Sequence, residues 1–221
     1  IHSVRDTIRH QIAREMSNDW AWAYETCAAK GTYQLDAKAC GARALRGLAL
    51  GYLCMTEKSS NETTWATKAY QDFLHADNMT DRMHALTALV HNHLPQAASA
   101  LSHFYAMFKQ DDLVIDKWFA LQATTPDLEG DVLPKMRQLL LHPDFHIRNP
   151  NRARSLLSAY CANPSAFHRR DASGYVFWSE RVLELDAFNP QVAARLARAL
   201  DRWRQLSTPY QSAAQEALRR V

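Results

Sequence analysis

Glycine is scarce in this sequence, with six among 221 residues. No Asn-Gly or Asp-Gly pair stands between alternating apolar runs, and no segment keeps an apolar period of two. Short β-hairpin turns favour those pairs, and half-buried strands favour that period. The usual sequence evidence for β-hairpins is therefore missing.

Long apolar runs are missing as well. No stretch of about 18 apolar residues occurs and the N-terminus has no apolar signal-peptide region, so neither membrane spanning nor secretion is indicated. The four cysteines form no C-x-x-C pair, and reduced thiols in a cytoplasmic protein are expected. These cysteines are Cys27, Cys40, Cys54 and Cys161.

The charge is nearly balanced, with 26 basic and 23 acidic residues and a formal net charge of +3. Such a surface gives no strong attraction to nucleic acid or to an anionic membrane, and we expect neither as a partner. One alternative is a helical nucleic-acid module, which would require binding that weakens steeply with salt. It would use Arg195, Arg198, Arg202 and Arg204.

Catalytic signatures are also missing: there is no H-E-x-x-H zinc motif, no G-x-S-x-G elbow and no Gly-rich phosphate loop. His142 and His146 are four residues apart, but Pro143 makes a continuous helix through both improbable. The pair Asp111-Asp112 is interpreted as a solvated helix start. The chain is therefore predicted to hold no metal or cofactor of its own and to be inactive alone.

A helical period of 3.6 is present instead. It predicts amphipathic helices through three apolar stripes, which are Val192, Leu196, Leu200 and Trp203; Tyr175, Trp178, Val182 and Leu185; and Leu45, Leu48 and Tyr52.

Proline marks where several helices should begin. A polar residue precedes proline at Thr125-Pro126, Asn149-Pro150, Asn163-Pro164, Asn189-Pro190 and Thr208-Pro209. An Asn or Thr side chain can accept from the first turn, and proline at the first helical position loses no hydrogen bond. These signals predict about eleven to thirteen helices of roughly 10–18 residues.

The predicted fold class is all-α, with antiparallel helix pairs stacked as an armadillo/HEAT-like superhelix and residues 1–221 forming one domain. A closed helical bundle is the alternative. Because the sequence opens at Ile1 without methionine and ends at Val221 inside a helical pattern, we expect a piece of a longer protein.

Two stretches carry polar residues that periodicity alone does not explain. The first Asn-Pro block is residues 149–155 and includes Arg154; the second is residues 189–196 and includes Gln191 and Arg195. Residues 191 and 195 lie one above the other on a helix. A guanidinium near a helix N-terminus is a plausible receptor for a carboxylate or peptide carbonyls. The alternative is that these arginines are merely solvated.

Six blocks in order along the chain resemble the C-terminal helical domain of the bacterial aminopeptidase N family. They are residues 78–81 (NMTD), 114–124 (VIDKWFALQAT), 149–155 (NPNRARS), 166–168 (AFH), 171–175 (DASGY) and 189–196 (NPQVAARL). The family consists of zinc exopeptidases of the gluzincin type, which remove N-terminal residues from peptides.

The resemblance implies a parent enzyme whose zinc and catalytic residues lie in another domain of the same chain. It implies that the present segment closes over the active site and binds the peptide substrate through Arg154, Gln191 and Arg195, with no catalytic residue. An alternative from another class is a free-standing helical-repeat scaffold that binds a protein partner.

Overall fold

Helices and short turns make up the part of the chain that the computed structural model describes, which is residues 2–28, 31–57 and 64–221. No strand occurs within these ranges, so the predicted all-α class is confirmed. The contacts group into two compact units, Ile1–Met107 and Phe108–Val221. The single domain over residues 1–221 stays a prediction.

Six helices belong to the N-terminal unit. They are α1 (His2–Glu15), α2 (Ser17–Thr26), α3 (Ala37–Glu57), α4 (Thr64–His75), α5 (Met79–His91) and α6 (Ala97–Phe108). Helix α3 is the centre of this unit, because α1, α2, α4 and α5 all pack against it.

The apolar stripe predicted for α3 is wrong in its orientation. Leu48 is 52% exposed and Leu45 is also exposed, while Ala49, Leu50 and Leu53 are buried. Apolar residues occur on every side of this helix, so periodicity alone could not identify the face that meets the other helices. The helix itself was predicted correctly.

Buried and half-buried polar groups join the helices of this unit. The Glu57 carboxylate accepts from the backbone N–H groups of Trp65 and Ala66, which lie in the first turn of α4. The Tyr24 hydroxyl donates to Asp72 at 2.9 Å, and the Arg46 guanidinium pairs with the same carboxylate at 2.8 Å. These contacts satisfy first-turn donors and hold α2 and α3 to α4.

Eight α-helical segments belong to the C-terminal unit. They are α7 (Asp112–Ala123), α8 (Val132–Leu140), α9 (Pro150–Ala153), α10 (Ala159–Cys161), α11 (Pro164–Phe167), α12 (Ser173–Asp186), α13 (Pro190–Ala197) and α14 (Thr208–Arg220). A π-helical turn, Arg154–Ser158, joins α9 to α10, and 3-10 turns Arg198–Leu200 and Trp203–Gln205 follow α13. Since α9 and α10 form one continuous run, the described residues contain thirteen helices, within the predicted number.

Helix α12 forms the core of this unit, and its predicted stripe is confirmed. Tyr175, Trp178, Val182 and Leu185 are all buried. The indole N–H of Trp178 donates to the Leu196 carbonyl at 2.9 Å, which ties α12 to the end of α13.

Gly174 allows the start of α12 to approach the preceding helix closely. A Cβ at this position would lie 2.2 Å from the Phe167 carbonyl oxygen and 3.1 Å from the Tyr160 hydroxyl. Only glycine fits such an approach without a shift of backbone. The glycine of block 171–175 therefore has a packing role.

Four of the five proline signals mark helix starts. Asn149, Asn163 and Asn189 immediately precede α9, α11 and α13, and α14 begins at Thr208 itself. The signal at Thr125-Pro126 was wrong, since the next helix begins only at Val132. The Thr125 hydroxyl donates instead to the Leu121 carbonyl at the end of α7, so this threonine completes the preceding helix.

Candidate functional site

Arg154 lies where the first Asn-Pro block changes from α-helix to π-helix. The Asn149 side chain accepts from the Asn151 N–H at 3.0 Å and the Arg152 N–H at 3.3 Å, which fixes the start of α9. Arg154 is exposed, and its guanidinium donates to the Asn151 side-chain oxygen at 2.5 Å. A π-helical turn inside an α-helix often accompanies a functional site.

The neighbouring Arg152 anchors this block, although the sequence did not predict a role for it. Arg152 is 2% exposed, and its Nε donates to Asp116 at 2.6 Å while its Nη2 pairs with Asp112 at 3.0 Å. Its guanidinium also lies 5.1 Å from the centre of the Phe119 ring. The run Pro150–Cys161 is thereby held against α7.

A signal for Arg152 was present in the sequence. Arg152 precedes the buried Leu156 by four residues, so it shares the apolar face of the helix, whereas Arg154 shares a face with Ser158. An arginine on an apolar face is expected to have a carboxylate partner. Asp116, in block 114–124, is that partner.

Gln191 and Arg195 lie one turn apart on α13, as predicted. The Asn189 side chain accepts from the Val192 N–H at 3.2 Å, and Pro190 occupies the first turn. Both candidate side chains are exposed, while Ala193 and Leu196 on the opposite face are buried.

A cavity of about 400 Å³ brings the second block together with the end of the first helical run. It is lined by Ser158, Cys161, Ala162, Arg195, Leu196, Arg198, Ala199 and Asp201. Arg195 therefore contributes to a pocket, whereas Arg154 and Gln191 are not on its lining. Each of these two lies one helical turn before a lining residue, Ser158 or Arg195. We name this the Arg195 cavity.

Arg195 and Arg198 both line this cavity, but they differ in their ion pairs. Arg198 Nε lies 3.1 Å from an Asp201 carboxylate oxygen. Across the part of the chain that the structure describes, no carboxylate lies within ion-pair distance of Arg195. The Arg195 charge is therefore available to an anionic ligand.

A second cavity of about 350 Å³ shares Arg198, Ala199 and Asp201 with the first. Its other lining residues are His168, Leu200, Arg202, Trp203 and Leu206. His168 Nδ1 lies 2.7 Å from the Tyr175 hydroxyl, and burial, aided by Tyr210, raises the pKa of Tyr175 to about 12. The phenol is therefore protonated at neutral pH.

An ion-pair cluster fixes the loop before α12. Arg169 pairs with Asp127 at 3.0 Å and with Asp171 at 3.1 Å, and Asp171 accepts from the Ser173 hydroxyl at 2.6 Å. The Arg169 guanidinium and the Ser173 donors hold the pKa of Asp171 well below its usual range. Block 171–175 thus has a structural explanation that requires no ligand.

Metal-ligating groups are dispersed in the part of the chain that the structure describes. Within residues 2–28, 31–57 and 64–221, no three His, Cys, Asp or Glu side chains are grouped so that they could hold a metal ion. The described residues therefore do not fit the zinc that the resemblance implies for the parent. Over the same ranges, no helix is both long and apolar enough to cross a membrane.

The chain belongs to the family described as a domain of unknown function (DUF3458_C) with ARM repeats, whose model matches residues 1–221. ARM repeats are stacked helical units, so this description agrees with the helical-repeat fold predicted from the sequence.

The curated relatives are aminopeptidases. The chain is 34% identical to aminopeptidase N of Escherichia coli and 36% identical to that of Haemophilus influenzae, in each case over all of its length. It is 35% identical to aminopeptidase N of Caulobacter vibrioides over 92% of its length. The resemblance to the aminopeptidase N family is thus confirmed.

A solved structure supports the same relationship. The crystal structure of Legionella pneumophila aminopeptidase A in complex with aspartic acid matches 99% of the chain with a TM-score of 0.87 and 26% identity. The chain spans about a quarter of the length of each relative, since it covers 23–26% of them.

Proposed function

We propose that this chain is the C-terminal helical region of a zinc-dependent aminopeptidase that removes N-terminal residues from peptides. In that enzyme it forms a wall of the substrate chamber and binds the peptide beyond the scissile bond. Arg154, Gln191 and Arg195 are the contact residues. The partners are the peptide and the catalytic domain of the same chain, and the protein is cytoplasmic.

The observation that carries this proposal is the guanidinium of Arg195, which lines the Arg195 cavity and has no carboxylate partner among the described residues. A guanidinium with no carboxylate partner can form a charge-assisted hydrogen bond with a peptide carboxylate or carbonyl. Gln191 lies one turn away on the same face of α13 and adds an amide that can donate to and accept from a peptide backbone.

In this proposal, peptide binding and catalysis belong to different domains of the enzyme. The sequence contains no H-E-x-x-H, and the described residues hold no metal cluster. The proposal assigns zinc and the general base to the catalytic domain, in the part of the enzyme beyond residues 1–221. Arg195 and its neighbours position the peptide and take no part in bond breaking, so their loss is expected to raise KM more than it lowers kcat.

Arg195→Ala in the full-length enzyme tests this proposal. Loss of a hydrogen bond to a charged group costs about 1.5–3 kcal/mol, so kcat/KM for tripeptides is expected to fall by about 10- to 100-fold, mainly through KM. Arg219→Ala, which removes an exposed arginine in the last turn of α14, is the matched control and should change little. Unchanged kcat/KM in Arg195→Ala would refute the proposed binding role.

A further inference from the structure

We propose that the Arg195 cavity selects the C-terminal residue of short peptides, with Arg195 binding the free carboxylate and the cavity taking an apolar side chain. This inference rests on the proposed function and adds a substrate preference to it.

The lining of the cavity suits an apolar side chain. Among its lining residues, Leu196 is buried, and the side chains of Ala162 and Ala199 are methyl groups. Burial raises the pKa of the Cys161 thiol well above its usual range, so this thiol stays neutral and behaves as a small apolar group. The charged atoms belong to the arginines and Asp201.

The charges around the cavity favour one anion. Asp201 offsets the charge of Arg198 at 3.1 Å, whereas Arg195 has no carboxylate partner among the residues described. One uncompensated positive charge therefore remains beside an apolar pocket. The Ser158 hydroxyl on the lining can donate a further hydrogen bond to a bound carboxylate.

The cavity is large enough to hold one side chain. A volume of about 400 Å³ lies near the lower end of ligand pockets, which span about 300–1,000 Å³. In a peptide, a backbone carboxylate and a side chain branch from the same carbon only at the C-terminal residue. A pocket that combines one cation with a small apolar lining therefore fits a C-terminal residue such as leucine.

The test measures two ratios of kcat/KM in the full-length enzyme. The first compares Ala-Ala-Leu with Ala-Ala-Gly, and the second compares Ala-Ala-Leu with its C-terminal amide. We expect each ratio to be about tenfold in the unmodified enzyme, since partial burial of a leucine side chain and one charged hydrogen bond each contribute on that order.

Two variants separate the apolar pocket from the carboxylate contact. Ala162→Phe fills the cavity from an exposed position and is expected to bring the Leu/Gly ratio close to one while the acid/amide ratio is kept. Arg195→Ala is expected to remove the acid/amide ratio. Ala187→Phe, at an exposed alanine after α12 that is not on this lining, is the control and should preserve both ratios.

The outcomes distinguish this inference from the proposed function. A Leu/Gly ratio near one in the unmodified enzyme, or a ratio that Ala162→Phe leaves intact, would overturn the side-chain pocket even if Arg195→Ala still weakens peptide binding. Because Ala199 also lines the cavity from an exposed position, Ala199→Phe should reproduce the effect of Ala162→Phe. If Arg195→Ala changes neither kcat/KM nor the acid/amide ratio, both proposals fail.

Discussion

The two Asn-Pro blocks begin alike and end differently. In both, an asparagine side chain caps the helix and a proline occupies the first turn. The first block then passes through a π-helical turn and is held by the buried Arg152–Asp116 pair, whereas the second ends in a 3-10 turn and is held by the Trp178 hydrogen bond to Leu196. Local sequence thus determines how each helix begins, while tertiary partners determine which arginine remains available to a ligand.

The largest expected effect comes from removing the ionic anchor of the first block. Arg152→Ala would leave the Asp116 carboxylate, which is 15% exposed, without its partner. Breaking a buried ion pair in this way costs about 3–5 kcal/mol. Urea-induced unfolding followed by circular dichroism should show a clear decrease in the free energy of unfolding.

Arg154→Ala is the matched control for that variant. Arg154 is exposed and its guanidinium donates to the Asn151 side chain of the same turn, so we expect a change of less than about 0.5 kcal/mol. Equal effects at residues 152 and 154 would show that the first block is not held through Arg152.

Removing the neutral anchor of the second block should have a smaller effect. Trp178→Phe deletes the indole N–H that donates to Leu196 and reduces the ring volume in a fully buried site. The expected cost is about 2 kcal/mol from the lost hydrogen bond and the small cavity. The free energy of unfolding measured by circular dichroism tests this, since tryptophan fluorescence itself would change. A cost equal to that of Arg152→Ala would remove the distinction between the two anchors.

The shared helix starts should respond alike. Asn149→Ala and Asn189→Ala each remove a side-chain acceptor from the first turn, and such caps contribute about 1 kcal/mol. The corresponding serine variants should restore most of the stability because serine also caps helices. The midpoint of urea unfolding provides the measurement, and a large effect at only one asparagine would contradict the common mechanism.

The smallest expected effect is the contribution of Asp171, in the loop before α12, to the pH dependence of stability. Because its folded-state pKa is lowered, Asp171 contributes stability above the ordinary carboxyl value of about 3.8, and that contribution is lost as the pH falls further. The side chain is 55% exposed, so solvent screening keeps the effect small. Unfolding measured between about pH 5 and pH 2 should be less pH-dependent in Asp171→Asn than in the unmodified protein. An identical pH profile would show that Asp171 does not contribute.

Much of the fold could be predicted because its signals are local. The stripe from Tyr175 to Leu185 and the asparagine caps at residues 149 and 189 depend on neighbours within one or two helical turns. The buried face of α3 could not be predicted, since Leu48 and Leu50 have equal apolar character and only the packing of other helices distinguishes them.

For the candidate site, too, the local features could be predicted from the sequence and the long-range contacts could not. The spacing of Gln191 and Arg195 on one face follows from the sequence, and the structure adds that Arg195 lines a cavity. The role of Arg152 depends on Asp116, which lies 36 residues away, and Thr125 was misassigned because its hydroxyl completes the preceding helix. Periodicity can place Arg152 on the apolar face, but it does not identify a partner 36 residues away.

The most direct test of peptide binding is a structure of the full-length enzyme with a short product peptide, such as Ala-Leu, bound in its chamber. We predict that the peptide carboxylate lies about 2.7–2.9 Å from a nitrogen of the Arg195 guanidinium, as in charge-assisted hydrogen bonds. A well-ordered peptide whose carboxylate is bound elsewhere, with Arg195 facing bulk solvent, would contradict it.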